Sequence, residues 1–356
     1  MMISKYTYHP VFELTRGGVI ESVHYGAFAI VNSLGELVSS CGDPNTITFL
    51  RSSAKPFQAI PFIENNGHTH WQFSKREVAI MCASHTGTDE HLKVLSSMQA
   101  KIHITQDDLL CGVHPPTDPK TNQALQARGE APTPNRHNCS GKHTGMLAYA
   151  KLLNVPTENY IDVDHPVQQM IIKTFVEMCD VTENEIAIGI DGCSAPVFAI
   201  PLQRAAYGVA RLCDPSHLPD HRAAACRVIT DAMMSYPEMV AGPGMFDTRL
   251  MEITCGKIVS KGGAEGFQHI GIMPGVMAPN SPGLGIAMKI SDGDLKNRTR
   301  PAVVLEILHQ LGVISSSEME ALSDFGPKFP VKNWRKVNVG EAYPVISLAV
   351  NPHSNG

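Results

Sequence analysis

The spacing of apolar and polar residues predicts strands near both ends of the chain. Short apolar runs rich in β-branched residues and bounded by turn residues are typical of strands. One such run, residues 27–31, ends at the turn Asn32–Gly35, and a second run, residues 36–38, follows this turn. The predicted strands occupy residues 27–31, 36–38, 257–259, 268–273, 285–290 and 343–350.

Helical spacing of apolar residues dominates the middle of the chain. The predicted helices occupy residues 52–64, 74–83, 88–101, 165–180, 203–212, 220–235 and 300–311, and a further apolar helix follows His143 through residues 146–153. Within this part, residues 186–190 predict a buried strand, and residues 240–244 a glycine-rich turn. Residues 112–138 are rich in Pro, Asn, Thr and His and predict a long irregular segment.

These elements predict an α/β (α+β) protein with a mainly antiparallel sheet from both chain ends, flanked by helices, and a helical middle. We expect one catalytic unit over residues 1–350. Its α/β part takes about 1–80 and 240–350, and its mainly helical part about 81–239. The tail 351–356 is expected to be disordered.

Composition and charge argue against some classes of partner and indicate a cellular compartment. A net charge of -5 over 356 residues gives no basic surface for nucleic acid or for an anionic membrane. We see no signal-peptide pattern and no apolar stretch of about 18 residues that could span a membrane. Nine scattered cysteines indicate reduced thiols. A cytoplasmic protein without nucleic-acid or membrane partners is therefore expected.

Three short motifs place serine and lysine where acyl-transfer chemistry would use them. Ser52 and Lys55 are three residues apart at a predicted helix start, so they share a face, and a lysine can activate a serine hydroxyl. Ser84 lies in a break between helices, and Lys261 ends a strand before paired glycines. Each motif alone is equally typical of a helix cap, a turn or a hairpin with a solvated lysine.

The order of these motifs resembles that of the serine β-lactamases and penicillin-binding proteins. Two departures argue against β-lactam chemistry. Thr86 stands where that pattern has an asparagine, and Gly262 stands where it has a hydroxyl residue after the lysine.

A closer resemblance extends over nearly the whole chain. Six segments in order resemble those of the thermolabile asparaginase II family: Arg51–Pro56, Cys82–Gly87, Asn138–His143, Asp191–Pro196, Met239–Gly242 and Ser260–Gly266. The resemblance implies a serine β-lactamase-like fold, hydrolysis of L-asparagine to L-aspartate and ammonia, and a homodimer. It implies two catalytic pairs, Ser52 with Lys55 and Ser84 with Lys261. The residues expected to bind the substrate are Arg51, His85, Asp191 and Gly262.

Two cysteines and a lysine form a possible metal set. Cys139 and Lys142 are three residues apart at a helix start, and Cys193 follows a strand end beside Asp191. Two thiolates with two further ligands suit zinc. The residues alone favour small buried cysteines. The family resemblance instead implies one zinc per chain, held by Cys139, Lys142 and Cys193.

The expected reaction is acyl transfer. Ser52, deprotonated by Lys55, attacks the side-chain amide carbon, ammonia leaves, and water releases aspartate. Ser84 and Lys261 would relay protons. The sequence leaves open which serine carries the acyl group, and Ser53 is adjacent to Ser52. It also leaves open a glutaminase or esterase of the same fold, and an inactive zinc-binding or sensory protein.

Overall fold

The computed structural model describes residues 7–348. Its strands are β1 (His9–Arg16), β2 (Val19–Asn32), β3 (Leu37–Cys41), β4 (Ile47–Phe49), β5 (Ala187–Ile190), β6 (Pro196–Pro201), β7 (Ile258–Gly262), β8 (Phe267–Ile272), β9 (Leu284–Ile290), β10 (Phe329–Lys332) and β11 (Asn338–Pro344). Its helices are α1 (Lys55–Glu64), α2 (Gly67–His70), α3 (Lys75–Met81), α4 (Asp89–Lys101), α5 (Pro119–Arg128), α6 (Ser140–Leu152), α7 (Pro166–Cys179), α8 (Leu202–Cys213), α9 (Asp220–Ser235), α10 (Pro237–Val240), α11 (Phe246–Thr254), α12 (Thr299–Gln310) and α13 (Ser316–Ala321).

Two compact units divide the chain. Within the described residues, the sheet unit contains residues 7–50, 200–214 and 253–348. The helical unit contains residues 51–199 and 215–252. The first division falls at Leu50, earlier than the expected boundary near residue 80, because α1 packs against α6, α7 and α9. No helix in residues 7–348 is long and apolar enough to cross a membrane.

An antiparallel sheet forms the centre of the sheet unit. Its strands run in the order β10-β11-β1-β2-β9-β8-β7, and β3 also pairs with β2. Strands from both chain ends therefore meet in one sheet, which confirms the predicted fold class. Helix α8 packs on β2, β8 and β9. A Cβ atom at Gly285 of β9 would lie 1.9 Å from the Ala206 carbonyl oxygen of α8, so only glycine permits this close approach.

Helix α1 lies at the centre of the helical unit. Its Phe57 ring meets Phe175 of α7 edge-on at 5.6 Å between centroids, and Phe175 in turn contacts Phe198 of β6 at 4.9 Å. Each of these rings is almost completely buried. Burying an aromatic side chain supplies much of the free energy that stabilises such a core.

Several local predictions were wrong. The segment 112–138 contains α5, because Asp118 accepts the Thr121 amide as an N-cap and Gly129 ends the helix with left-handed backbone. The strand at 186–190 was expected to be buried, but Ile190 of β5 is 84% exposed. In the described part of the chain, β5 pairs only with β6, which leaves its other edge open.

The chain ends also differ from the prediction. Strand β1 was not predicted, because register shifts after Pro10 and Leu14 interrupt the apolar alternation. Strand β10 was also missed, and the last strand ends at Pro344 rather than at residue 350. The predicted disordered tail, 351–356, lies outside the described residues. The single catalytic unit stays a prediction.

Candidate active site

Lys55 brings two of the sequence motifs together. A 3₁₀ turn, Arg51–Ala54, leads into α1, whose first residue is Lys55. The lysine side chain is only 1% exposed. Its Nζ atom donates to the Ala83 carbonyl oxygen and, at 3.0 Å, to Ser84 Oγ. The buried amine of the first motif therefore contacts the serine of the second.

Ser52 and Ser53 differ in their access to solvent. Ser53 is completely buried, whereas Ser52 is partly exposed. Within residues 7–348, the hydroxyl partner of Lys55 is Ser84 rather than Ser52. Ser52 is thus the more accessible hydroxyl of the first motif, and Ser84 the one already hydrogen-bonded to the amine.

The segment that follows α10 supports Ser84. The Ser84 amide donates to the Val240 carbonyl oxygen at 2.8 Å. Two residues further, Gly242 has a φ of +114°, and a Cβ atom there would lie 2.3 Å from Thr86 Oγ1. Glycine is needed at this position because of the positive φ and because a Cβ atom would overlap Thr86. The Met239–Gly242 motif therefore has a structural reason: it lets a second chain segment lie directly against the Ser84 segment.

His85 is fully buried and both of its ring nitrogens are occupied. Nδ1 accepts the Gly87 amide at 3.1 Å, so Nε2 carries the proton and donates to Ser140 Oγ at 2.9 Å. Burial, with the nearby charges of His91 and Lys55, holds the pKa of His85 well below 6.5. The neutral ring joins the Ser84 segment to the start of α6. Its predicted contact with substrate stays a prediction.

An ion pair joins the first motif to the segment after β5. Arg51 Nε donates to Asp191 Oδ1 at 2.8 Å, and the two side chains are 26% and 10% exposed. Arg51 has a φ of +52°, which is uncommon for a residue other than glycine. Burial would raise the pKa of Asp191, but the charges of Lys142 and Arg51 outweigh it and hold that pKa below its usual value. Asp191 is therefore a carboxylate in this site.

Cys139, Lys142 and Cys193, which we call the thiol–amine set, converge in the same unit. Lys142 Nζ donates to Cys193 Sγ at 3.0 Å. A hydrogen bond from the Cys193 thiol, helped by the charges of Lys55 and Lys142, holds the pKa of Cys139 well below 9.0 against the effect of burial. The same hydrogen bond, with burial, raises the pKa of Cys193. The pKa of one cysteine of the set is thus lowered and that of the other is raised.

The donor atoms of this set are of types that zinc accepts. Burial would lower the pKa of the Lys142 amine, but the charges of Cys193 and Cys139 outweigh it and raise that pKa, so the amine holds its proton more tightly. Within the described residues, no three His, Cys, Asp or Glu side chains group as metal ligands. The third donor of this set is instead the Lys142 amine, which must lose its proton to bind a metal. Two sulfur atoms and one nitrogen atom are donors that zinc accepts, with a fourth position left for another ligand.

The neighbouring cysteine differs from the thiol–amine set. Burial and the charges of Cys139 and Cys193 raise the pKa of Cys111 to about 12. Its thiol stays protonated while no metal ion is bound.

A comparison with protein families identifies the family of this chain. The family model described as L-asparaginase II matches residues 12–344. The chain belongs to the L-asparaginase II family. It is therefore an amidohydrolase, and the predicted family and enzyme class are confirmed.

Solved structures similar to this chain are distant in sequence. A probable glutaminase from Bacillus subtilis complexed with 6-diazo-5-oxo-L-norleucine is 11% identical, over 81% of this chain and 84% of that one, with a TM-score of 0.38. A Bacillus glutaminase determined in the presence of 4.3 M NaCl is 10% identical, over 81% and 91%, with a TM-score of 0.38. A protein described as Mglu is 12% identical, over 82% and 68%, with a TM-score of 0.35. The chain matches none of the curated proteins compared with it.

The remaining predicted site residues, Lys261 and Gly262, lie in the sheet unit. Lys261 is on β7, is only 2% exposed, and donates from Nζ to the Gly262 carbonyl oxygen at 2.7 Å. The predicted pairing of Ser84 with Lys261, and substrate binding by Gly262, stay predictions. The sequence interpretation missed Ser140, which holds His85, although Ser140 lies inside the matched segment Asn138–His143.

Proposed function

We propose that this amidohydrolase is an L-asparaginase that releases ammonia from the side-chain amide of L-asparagine through serine–lysine catalysis. The observation that carries the proposal is the contact of the buried Lys55 amine with Ser84 Oγ at 3.0 Å. A lysine next to a hydroxyl, shielded from water, is a recurrent way to activate a serine nucleophile.

Ser52 is the proposed nucleophile, and Lys55 takes its proton. The Ser52 oxygen then bonds to the amide carbon, and a tetrahedral intermediate forms. Ser84, hydrogen-bonded to Lys55, passes the proton to the leaving nitrogen, so the C–N bond breaks and ammonia departs. Water enters by the same general-base route and releases L-aspartate.

The charged ends of asparagine would bind beside the Arg51–Asp191 ion pair. Arg51 uses Nε for Asp191, which leaves the other guanidinium N–H groups for a carboxylate. Asp191 is ionised and would attract the α-ammonium group. His85 and Gly262 complete the proposed substrate-binding set.

Cys139, Lys142 and Cys193 would hold one zinc ion per chain. Bound zinc would supply a fixed positive charge that holds the substrate's carboxylate end. Lys261 is proposed as a second proton carrier. A homodimer, which the resemblance implied, and a cytoplasmic location, which the composition indicated, also stay proposals.

The test is ammonia release from asparagine by the wild type, Ser52→Ala, Ser84→Ala and the matched control Ser53→Ala. Ser52→Ala should lower kcat by on the order of 10⁴-fold or more, because no acyl-enzyme can form. Ser53→Ala should keep most activity, since Ser53 is enclosed. An active Ser52→Ala with an inactive Ser84→Ala would move the nucleophile to Ser84. Full activity of both would reject serine catalysis.

Glutamine in parallel tests the substrate. It differs from asparagine by one methylene, which in a tight pocket is worth roughly 10–200-fold in kcat/KM. Equal kcat/KM for the two amides would make the enzyme a general amidase instead of an asparaginase.

A further inference from the structure

An open cleft of about 410 Å³ lies on the sheet unit, over strands β10, β11, β1 and β2. We call it the sheet cleft. Its floor is one row of side chains across those strands, because Phe329 pairs with Ala342, Ala342 with Leu14, and Leu14 with Ser22. Three of these four side chains are apolar. The volume is that of a small-molecule site.

Four cations line the same cleft: Arg16, Lys296, Arg298 and Lys332. Glu21 is the acidic residue of the lining, and it pairs with Arg16 at 2.9 Å. In the part of the chain that the structure describes, the other three cations have no carboxylate partner. The cleft therefore has a clear excess of positive charge over an apolar floor.

Arg298 is held in a position that favours a ligand. Its guanidinium lies over the Phe12 ring at 6.0 Å from the centroid. Its Nε atom is buried and lacks a hydrogen-bond partner among residues 7–348. A buried donor without a partner costs free energy, and within residues 7–348 no hydrogen bond or ion pair engages the Arg298 guanidinium.

We propose that the sheet cleft binds a small organic dianion, with a flat apolar body and either a phosphate group or two carboxylates. The flat body would pack on Phe329 and its row, as aromatic and apolar surfaces do. The anionic group would bind Arg298, Lys296 and Lys332. Every residue of this site belongs to the sheet unit, and none takes part in the proposed hydrolysis.

Titration calorimetry of the full chain tests the proposal with four probes: phenyl phosphate, phthalate, inorganic phosphate and phenol. At least one aryl dianion should bind with one site per chain, and the stronger of the two identifies the anionic group. Inorganic phosphate should bind at least tenfold more weakly, because it lacks the flat body. Phenol should not bind measurably.

Variants separate the cleft from general surface charge. Lys296→Gln/Lys332→Gln replaces two exposed cations of the lining and should weaken binding at least tenfold. The matched control is Lys336→Gln. Lys336 is an exposed cation in the turn between β10 and β11 and does not line the cleft, so this variant should leave binding unchanged. Ser22→Asp adds a carboxylate to the floor and should also weaken binding.

Three results would overturn the proposal: neither aryl dianion binds the wild type, inorganic phosphate binds as tightly as phenyl phosphate, or Lys336→Gln weakens binding as much as the double variant. The measurement needs no turnover, so its outcome is independent of the proposed asparaginase activity.

Discussion

Gly242→Ala should disturb the Ser84 segment, and the structure supplies a matched control. An alanine Cβ at residue 242 would lie 2.3 Å from Thr86 Oγ1 and 2.7 Å from Thr86 Cγ2, at a φ of +114°. Gly244, in the same turn, has a φ of +74° and no atom within 4 Å of such a Cβ. Gly244→Ala therefore tests backbone strain alone, and Gly242→Ala tests strain together with steric overlap.

The expected losses of stability follow from the costs of backbone strain and of steric overlap. A positive φ costs a residue other than glycine about 1–2 kcal/mol. Overpacking adds about 1–3 kcal/mol. The free energy of unfolding should thus fall by about 2–5 kcal/mol in Gly242→Ala and by about 1–2 kcal/mol in Gly244→Ala. The Ser84 amide bonds Val240, so the displaced turn moves the serine, and a shift of about 1 Å can cost roughly 100-fold in rate.

Urea unfolding and kcat/KM for ammonia release measure the two effects. The double variant Gly242→Ala/Thr86→Ala removes the two closest atoms, and the next closest is Thr86 Cβ, at 3.0 Å. It should recover the loss due to steric overlap, about 1–3 kcal/mol, since Thr86 Oγ1 has no hydrogen-bond partner in the described residues. Equal losses of stability and rate in Gly242→Ala and Gly244→Ala would refute the argument that this close approach positions Ser84.

Two further predictions concern pH and metal. Burial would raise the pKa of Glu77, but the hydrogen bonds from Lys101, at 2.6 Å, and from Ser74 and Ser97 together outweigh it and hold that pKa below its usual value of about 4.5. The ionised pair therefore stabilises the fold above about pH 4.5 and stops doing so as pH falls through the lowered pKa. Glu77→Gln should lower the free energy of unfolding by about 1–3 kcal/mol at pH 7. Urea unfolding should show the difference between wild type and variant disappear in acid. Elemental analysis should find about one zinc per chain, lost in Cys139→Ser and Cys193→Ser but kept in Cys111→Ser, because Cys111 is not one of the three proposed ligands. Zinc-free wild type with full activity would contradict the metal proposal.

The pattern of apolar residues was sufficient where elements are regular. Helices α4, α7 and α9 and strands β8 and β9 follow their predicted ranges closely. The pattern failed where local geometry interrupts it, as at the bulges of β1, and where capping residues start a helix of polar composition, as Asp118 does for α5.

The candidate site was predictable as a set of motifs but not as a set of contacts. The spacing of Ser52 and Lys55 favours a pair within one helix turn. In the structure the lysine instead bonds Ser84, because α1 and α3 pack together and bring Ala83 and Ser84 to its amine. Such a contact depends on tertiary packing, which short spacings do not encode.

Lys55, Ser84 and Val240 come from three distant stretches of chain, yet single hydrogen bonds join each to the next. Their evolutionary histories should therefore be linked, because drift in one stretch displaces its neighbour unless the neighbour changes with it. A recombinant that received one stretch from a diverged relative would combine it with neighbouring stretches that no longer fit it. A search for remote homologues would gain discrimination by scoring the three stretches jointly, as one discontinuous character.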